Sequence, residues 1–253
     1  MPTATRGWLD RALGAVGLQR AVAAPATRWR TGPHVYASAI EDRLTLDLFD
    51  RSLSGNDELK GDLRRLRALS RRLVRDTAVG RRYRQLVVEQ TLGREGILLQ
   101  ARVERTRGGR NVGLNRTLEQ AWYDWGRPGT CTADGVMSWQ EVEETALASL
   151  AIDGEVLLRH IRGADNGFGY AVQLLDPDFL DHTLNEDRRD GVRIVMGVEL
   201  DRNGRRLAYH LWNKHPSEFP DRRDRVPARE IEHIFRVQRI GAVRGEPWSA
   251  PVL

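Results

Sequence analysis

Near Asp153 and Gly154 the hydrophobic period of this chain changes from between three and four residues to two. That switch restricts the fold more than any other feature, because the two periods belong to helices and strands respectively. Upstream, apolar residues recur at helical spacing. Downstream, the stretches EVLLRHI, YAVQLL, RIVMGVELD, RLAYHLW and EIEHIFRV alternate as strands do. Asp153-Gly154 itself reads as a helix stop, with glycine suited to the left-handed position after the last turn, and Glu155 then opens the first strand. Asn203-Gly204 is a hairpin signal, since both residue types accept positive φ. The expected class is α+β, with helices first and an antiparallel meander or small barrel after them. The expected divisions are a partly helical, loop-rich arm over residues 1–57, a mainly helical region over 58–153 and a strand-rich region over 154–253.

The strongest helical signal is ELKGDLRRLRALSRRLVRDTA, residues 58–78. Leu59, Leu63, Leu66, Leu69 and Leu73 form one stripe, and Arg64, Arg65, Arg67, Arg71, Arg72 and Arg75 are read as the opposite face. This ridge suits a nucleic acid or another acidic partner, although a solvated face is the simpler reading. A second helix covers the stretch from Val79, and ILLQARV, residues 97–103, alternates like a half-buried strand. Leu118, Trp122 and Trp125 share one side of a third helix near residues 115–126. Ser138 and Glu141 form a capping box that starts a fourth at Trp139. Residues 6–22 read as a short amphipathic arm that docks on a neighbour.

The bulk composition of the 253 residues fits a soluble globular chain, and no apolar run approaches the roughly 20 residues of a membrane helix. Of 40 basic residues, all but Lys60 and Lys214 are arginine, against 35 acidic ones. A genome rich in G and C explains that bias as readily as phosphate binding does. Cys131 is the single cysteine, so there is neither a disulfide framework nor a cysteine zinc cluster.

No phosphate-binding loop, nucleophile elbow, zinc-helix motif or dinucleotide fingerprint is present. His210, His215 and His233, with Asp201, are too scattered over strand and loop to suggest a shared metal. Asp153 and Glu155 could take part in a metal-dependent nuclease site only if further carboxylates converged on them, and Asp176 and Asp178 are the nearest candidates. Turn chemistry explains the first pair more simply. The residues favour a structural or binding role without enzyme activity or cofactor.

The succession LRALSRRLVRDTAVGRRYRQLVVEQTLGREGILLQARV, AWYDWGRPGTCTADGVMSWQEVEETALASLAIDGEVLLRHI, VQLLDPDFL, GVELDRNGRRLAYHLW, RVPAREIEHIF and RGEPWSAPVL resembles, in this order, the lambda-family tailed-phage portal proteins. So does the opening WLDRALGAVG. The resemblance implies a ring of about twelve copies at one capsid vertex, through which double-stranded DNA is packaged and ejected. Its partners would be other copies of itself, double-stranded DNA, the large terminase subunit, and capsid and head–tail connector proteins, with no membrane. The chain would act in the virion after assembly in the bacterial cytoplasm. The helices would belong to wing and stem, and the strand-rich region to wing and clip. Family members continue past RGEPWSAPVL, where Gly245 and Pro247 make a turn and Ala250-Pro251 reads as the entry to another helix. The chain is therefore expected to be the N-terminal part of a longer subunit. Where the family often has Asn-Asn-Pro after the arginine-rich helix, this chain has Asp76-Thr77-Ala78, which implies two helices that run together. The competing reading is a stand-alone arginine-rich nucleic-acid-binding module.

Overall fold

A computed structural model describes residues 53–252, apart from 107 and 189. The expected N-terminal arm therefore lies outside the described residues up to position 52. Helix α1, Gly55–Asp76, begins three residues earlier than the leucine pattern suggests, because the Ser54 hydroxyl accepts from the Asp57 amide as N-cap. Helix α2 spans Ala78–Leu92. The expectation that α1 and α2 run together is overturned at Thr77. Its backbone is extended, at φ −122° and ψ 146°, and its hydroxyl caps α2 by accepting from Gly80 N. Thr77 thus supplies the break that a proline would otherwise make. Gly80 is needed where the helices meet, since a Cβ there would sit 2.3 Å from the Leu73 carbonyl oxygen.

Residues 97–103 run without a helix, turn or bend but belong to no sheet, so the expected strand is not realised among the described residues. Helices α3, Val112–Trp125, and α4, Trp139–Ile152, follow. The capping box at Ser138 and Glu141 is present in both directions. Asp153 ends α4 and Gly154 turns the chain at φ +86°.

The strands form two antiparallel sheets. The first has the order β2-β1-β8, with β1 at Glu155–Arg162, β2 at Tyr170–Leu175 and β8 at Ile231–Phe235. The second is a five-stranded meander of β3 (Glu186–Asp187), β4 (Arg193–Val195), β5 (Val198–Leu200), β6 (Arg206–Trp212) and β7 (Arg223–Pro227). The stretch RIVMGVELD is thus two strands, not one. Met196 and Gly197 both adopt positive φ, at 49° and 83°, and fold it into a tight hairpin. The Asn203-Gly204 hairpin is present, but only Gly204 has positive φ. The ladder slips between Glu199 and Leu200, so the turn is a bulged one.

The period-two signal in β1 serves both faces of its sheet. Leu157 joins a core with Leu59 and Leu63 of α1, Tyr209 of the second sheet and Ile231. Val156 and Leu158 point the other way, to Trp125, Cys131 and Val142. In that second core Trp122, Trp125, Trp139 and Tyr170 pack as a chain of rings, with neighbouring centroids 5.1–5.7 Å apart. On α1 the buried line is Leu59, Leu63, Arg67 and Ser70. The buried face is therefore rotated from the leucine stripe toward Arg67, while Leu69 and Leu73 are only half-buried.

Candidate functional site

The most highly organised polar group is an arginine–carboxylate centre where α1, the α4–β1 turn, β8 and the C-terminal segment converge. Glu155, fully buried, stands at its middle. One carboxylate oxygen accepts from Arg67 Nη2 at 2.6 Å and Arg244 Nε at 2.7 Å. The other accepts from the Gly245 amide at 2.8 Å and His233 Nε2 at 3.0 Å. Burial pushes this carboxyl up, but Arg244, Arg67 and His233 outweigh burial and hold it well below the usual carboxylate range. Burial holds His233 below the ordinary histidine range; its Nε2 donates to Glu155, and its Nδ1 has no partner among the described residues.

Arg244 spends its remaining donors on three backbone carbonyls, of Pro177 (3.1 Å), Leu180 (3.2 Å) and Met196 (2.9 Å). One guanidinium thereby ties the first sheet, the loop after β2 and the β4–β5 hairpin together. Arg67 reaches Asp178 at 3.0 Å and the Asp153 carbonyl at 3.0 Å. Arg71 pairs with Asp153 (2.6 Å), Asp178 (2.6 Å) and Asp176 (2.9 Å). Burial is the largest influence on Asp178 and raises it, yet Arg71 and Arg67 leave the group lowered; for Asp153 burial prevails and the group is raised. Around this centre the backbone is pressed close. A Cβ on Gly154 would lie 2.1 Å from the Glu246 carbonyl carbon, and one on Gly245 would lie 2.1 Å from the Gly154 oxygen.

The six arginines read as one ridge are divided by the structure. Arg67 is only 2% exposed and Arg71 half-buried, both turned inward to carboxylates. Their place on a common outer face is thus corrected: they flank the buried line of α1. Arg64, Arg65, Arg72 and Arg75 are exposed, and the last two pair with Asp76. Ser138, Glu141, Gly154, Asn203 and Gly204 occupy turns and caps, whereas the expected turn at Gly245 is absent and its amide instead donates to Glu155. Glu155 does much more than open a strand. The histidines named with it do not converge: His210 meets Glu199 at 3.1 Å, His215 lies by Asp178 and His233 holds Glu155. Asp176, Asp178 and His215 are the set with metal-ligand spacing among the described residues. Both carboxylates already accept from Arg71, and Asp178 from Arg67 too, so a divalent ion there would have to displace guanidinium groups. The four carboxylates a nuclease would need are all bound up in this way. Sequence reasoning missed Arg244, whose only signal is its place between a turn and Gly245-Glu246-Pro247.

Apolar side chains also lie open on the surface. Ile97, Leu98 and Leu99 edge a cleft of about 270 Å³ with Trp122, Tyr123 and Trp139, and the first two are 66% and 55% exposed. Val79, Leu118, Phe219, Val237 and Ile240 are exposed elsewhere. The exposed apolar side chains are mainly Ile, Leu and Val, with Tyr123 and Phe219, while the Trp rings are mostly packed away.

Among known proteins, the profile of the phage portal protein, lambda family, matches residues 41–253. The chain is also similar to a "Probable portal protein" of Halomonas phage phiHAP-1, at 29% identity over 234 residues. That alignment takes in 90% of this chain and 45% of the phage protein, so the chain spans about half the length of this relative. No helix among the described residues is long and apolar enough to cross a membrane. A match across all but the first 40 residues, on an α+β fold of helices followed by antiparallel sheets, settles the family: the chain belongs to the lambda family of phage portal proteins.

Proposed function

We propose that this chain works as a portal subunit: several copies close into a ring at a capsid vertex, and double-stranded DNA passes through that ring during packaging and ejection. The observation that carries the reading is the family match over residues 41–253. The open apolar surface at Ile97, Leu98, Leu118 and Tyr123 supports it, because such area suits a subunit that neighbours cover. In this reading the protein acts by assembly, not by catalysis. The helices contribute to wing and stem, the sheets to wing and clip, and the clip receives the terminase and later the head–tail connectors. The ring is expected to hold about twelve subunits.

A conduit has to let DNA slide. Many phosphate contacts would bind the duplex tightly through counterion release. The internal engagement of Arg67 and Arg71 agrees with this need, since it removes two of the six arginines from any DNA-facing surface. On this reading the exposed remainder, Arg64, Arg65, Arg72 and Arg75, lies away from the narrowest part of the tunnel. The decisive measurement is the mass of the purified chain by light scattering behind a sizing column. A defined ring of many copies is the expected result. A monomer that binds DNA with steep salt dependence would instead establish the nucleic-acid-binding module.

A further inference from the structure

Residues 97–103 have the alternation of a strand and run without a helix, turn or bend, yet they pair with no strand among the described residues. Their shape is not left to chance. Glu143 accepts from the Ile97 amide at 2.9 Å, Glu119 from Ala101 at 3.0 Å, and Asn115 from Val103 at 2.8 Å. Side chains of α3 and α4 therefore satisfy three of the four amides of one edge, the Leu99 amide having no partner among the described residues. The amides of Leu98, Gln100 and Arg102 find no partner among the described residues. A straight apolar segment braced along one edge and open along the other is built to receive a strand there.

The same chain offers one edge that fits. Of the four sheet edges, β3 is two acidic residues long, and β7 carries Arg223, Asp224 and Arg225 and ends at Pro227. The outer side of β2 is covered by residues 131–133, through Val172 N to Cys131 O and Ala133 N to Val172 O, both 2.8 Å. Charge, proline, shortness and cover are the usual protections of an edge. Edge strand β8 is the least protected: it carries one carboxylate, Glu232, but no proline, and no backbone hydrogen bond covers its outer side among the described residues. Ile234 is 47% exposed, and the chain continues past the strand through Val237 and Ile240, both open.

We propose that residues 97–103 of one copy add as an antiparallel fourth strand to β8 of a neighbouring copy, extending the β2-β1-β8 sheet across the subunit boundary. The occupant of the β8 edge is thus a second copy of this chain, and the proposal rests on the ring reading above. A closed ring needs two different, complementary patches on each subunit, and these two surfaces supply such a pair. Charge sets the register, with Arg102 opposite Glu232. Gln100 then faces Ile234, Leu99 faces Phe235, Ile97 faces Val237 and Val103 faces Ile231, so that apolar residues meet along one side. A parallel arrangement in this register would run the segment off β8 onto the turn at Ala228–Glu230.

The test is disulfide capture in the full chain, with the buried Cys131 left in place. The double variant Gln100→Cys, Ile234→Cys is expected to give a ladder of covalent oligomers on mild oxidation. Each single variant should stop at dimers, and Gln100→Cys with Glu186→Cys, on the protected β3 edge, should give no ladder. Gln100→Pro, which deletes an outward amide, should lower the assembled mass while leaving the circular dichroism of the subunit unchanged. Absence of the ladder from a chain that light scattering shows to be assembled overturns this contact and leaves the ring reading standing. Absence of both ladder and assembly overturns the two together. A disulfide closed within single chains overturns the contact as well, by placing the segment on its own sheet.

Discussion

Glu155 shows how one residue can hold three parts of a chain. Its two oxygens take four donors, from α1, β8 and the C-terminal segment. Removing its charge strands Arg67 and Arg244 in a dry interior, so Glu155→Gln is expected to cost about 3–5 kcal/mol, read as a lower denaturant midpoint. Arg244→Lys should also destabilise, by about 2–4 kcal/mol, because an ammonium cannot reach three carbonyls and a carboxylate at once. The acid response follows from the same group. His233 and His182 are both held below their ordinary value by burial, so the unfolded chain takes up protons first as pH falls. Their contribution to stability is complete above about pH 6.5 and declines as pH drops toward the folded values. Glu155 and Asp178, lowered after guanidinium contacts overcome burial, contribute fully above about pH 4.5 and lose that contribution below it. Asp153, raised by burial, works in the opposite direction over the carboxylate range. The expected result is a two-limbed loss of stability with acidification, measured by denaturant titration at each pH. His233→Gln should flatten the upper limb.

At the scale of elements, caps and close approaches decide where the helices stop. Thr77 ends α1 and starts α2, with its hydroxyl donating to Leu73 O at 2.7 Å and accepting from Gly80 N at 2.9 Å. Thr77→Ala and Ser138→Ala should each cost about 1 kcal/mol in thermal or chemical unfolding. Gly154→Ala should be far worse, since the substituted residue must hold φ +86° while its Cβ meets the Glu246 backbone. Failure to obtain soluble protein is the expected outcome there. The capping box, the Asp153-Gly154 stop and the Asn203-Gly204 hairpin were legible in the sequence because each depends on a few neighbouring residues. The Met196-Gly197 turn was not. Nothing local favours a methionine at positive φ. It is held there by burial, by Asn185 accepting from its amide at 3.1 Å and by Arg244 donating to its carbonyl.

For the whole molecule, the α+β order was plain from the change of period, while the sheet arrangement was not. The period-two segments suggest one meander or small barrel, but EIEHIF returns to a separate first sheet beside β1. It does so because Ile231 closes the core under α1 and His233 reaches Glu155. At this scale the proposed function predicts self-assembly, and it predicts that incubation with Mg²⁺ or Mn²⁺ leaves duplex DNA intact on a gel. Metal-dependent cleavage abolished by Glu155→Gln would contradict it.

The sequence alone determined the elements whose causes are local: helix stripes, caps, glycine stops and the period-two strands, together with the ordered segments that point to the portal family. Only the tertiary structure decided which polar residues became the interior. Arg67 lies on the flank of the leucine stripe, and whether such a residue faces water or a carboxylate depends on what packs against that flank. Its partners Glu155 and Asp178 lie 88 and 111 residues away, and Arg244 lies 89 from Glu155. A desolvated charge is tolerated only when its counter-charges arrive with good geometry. That condition is met by the folded chain as a whole and has no signature in any one segment.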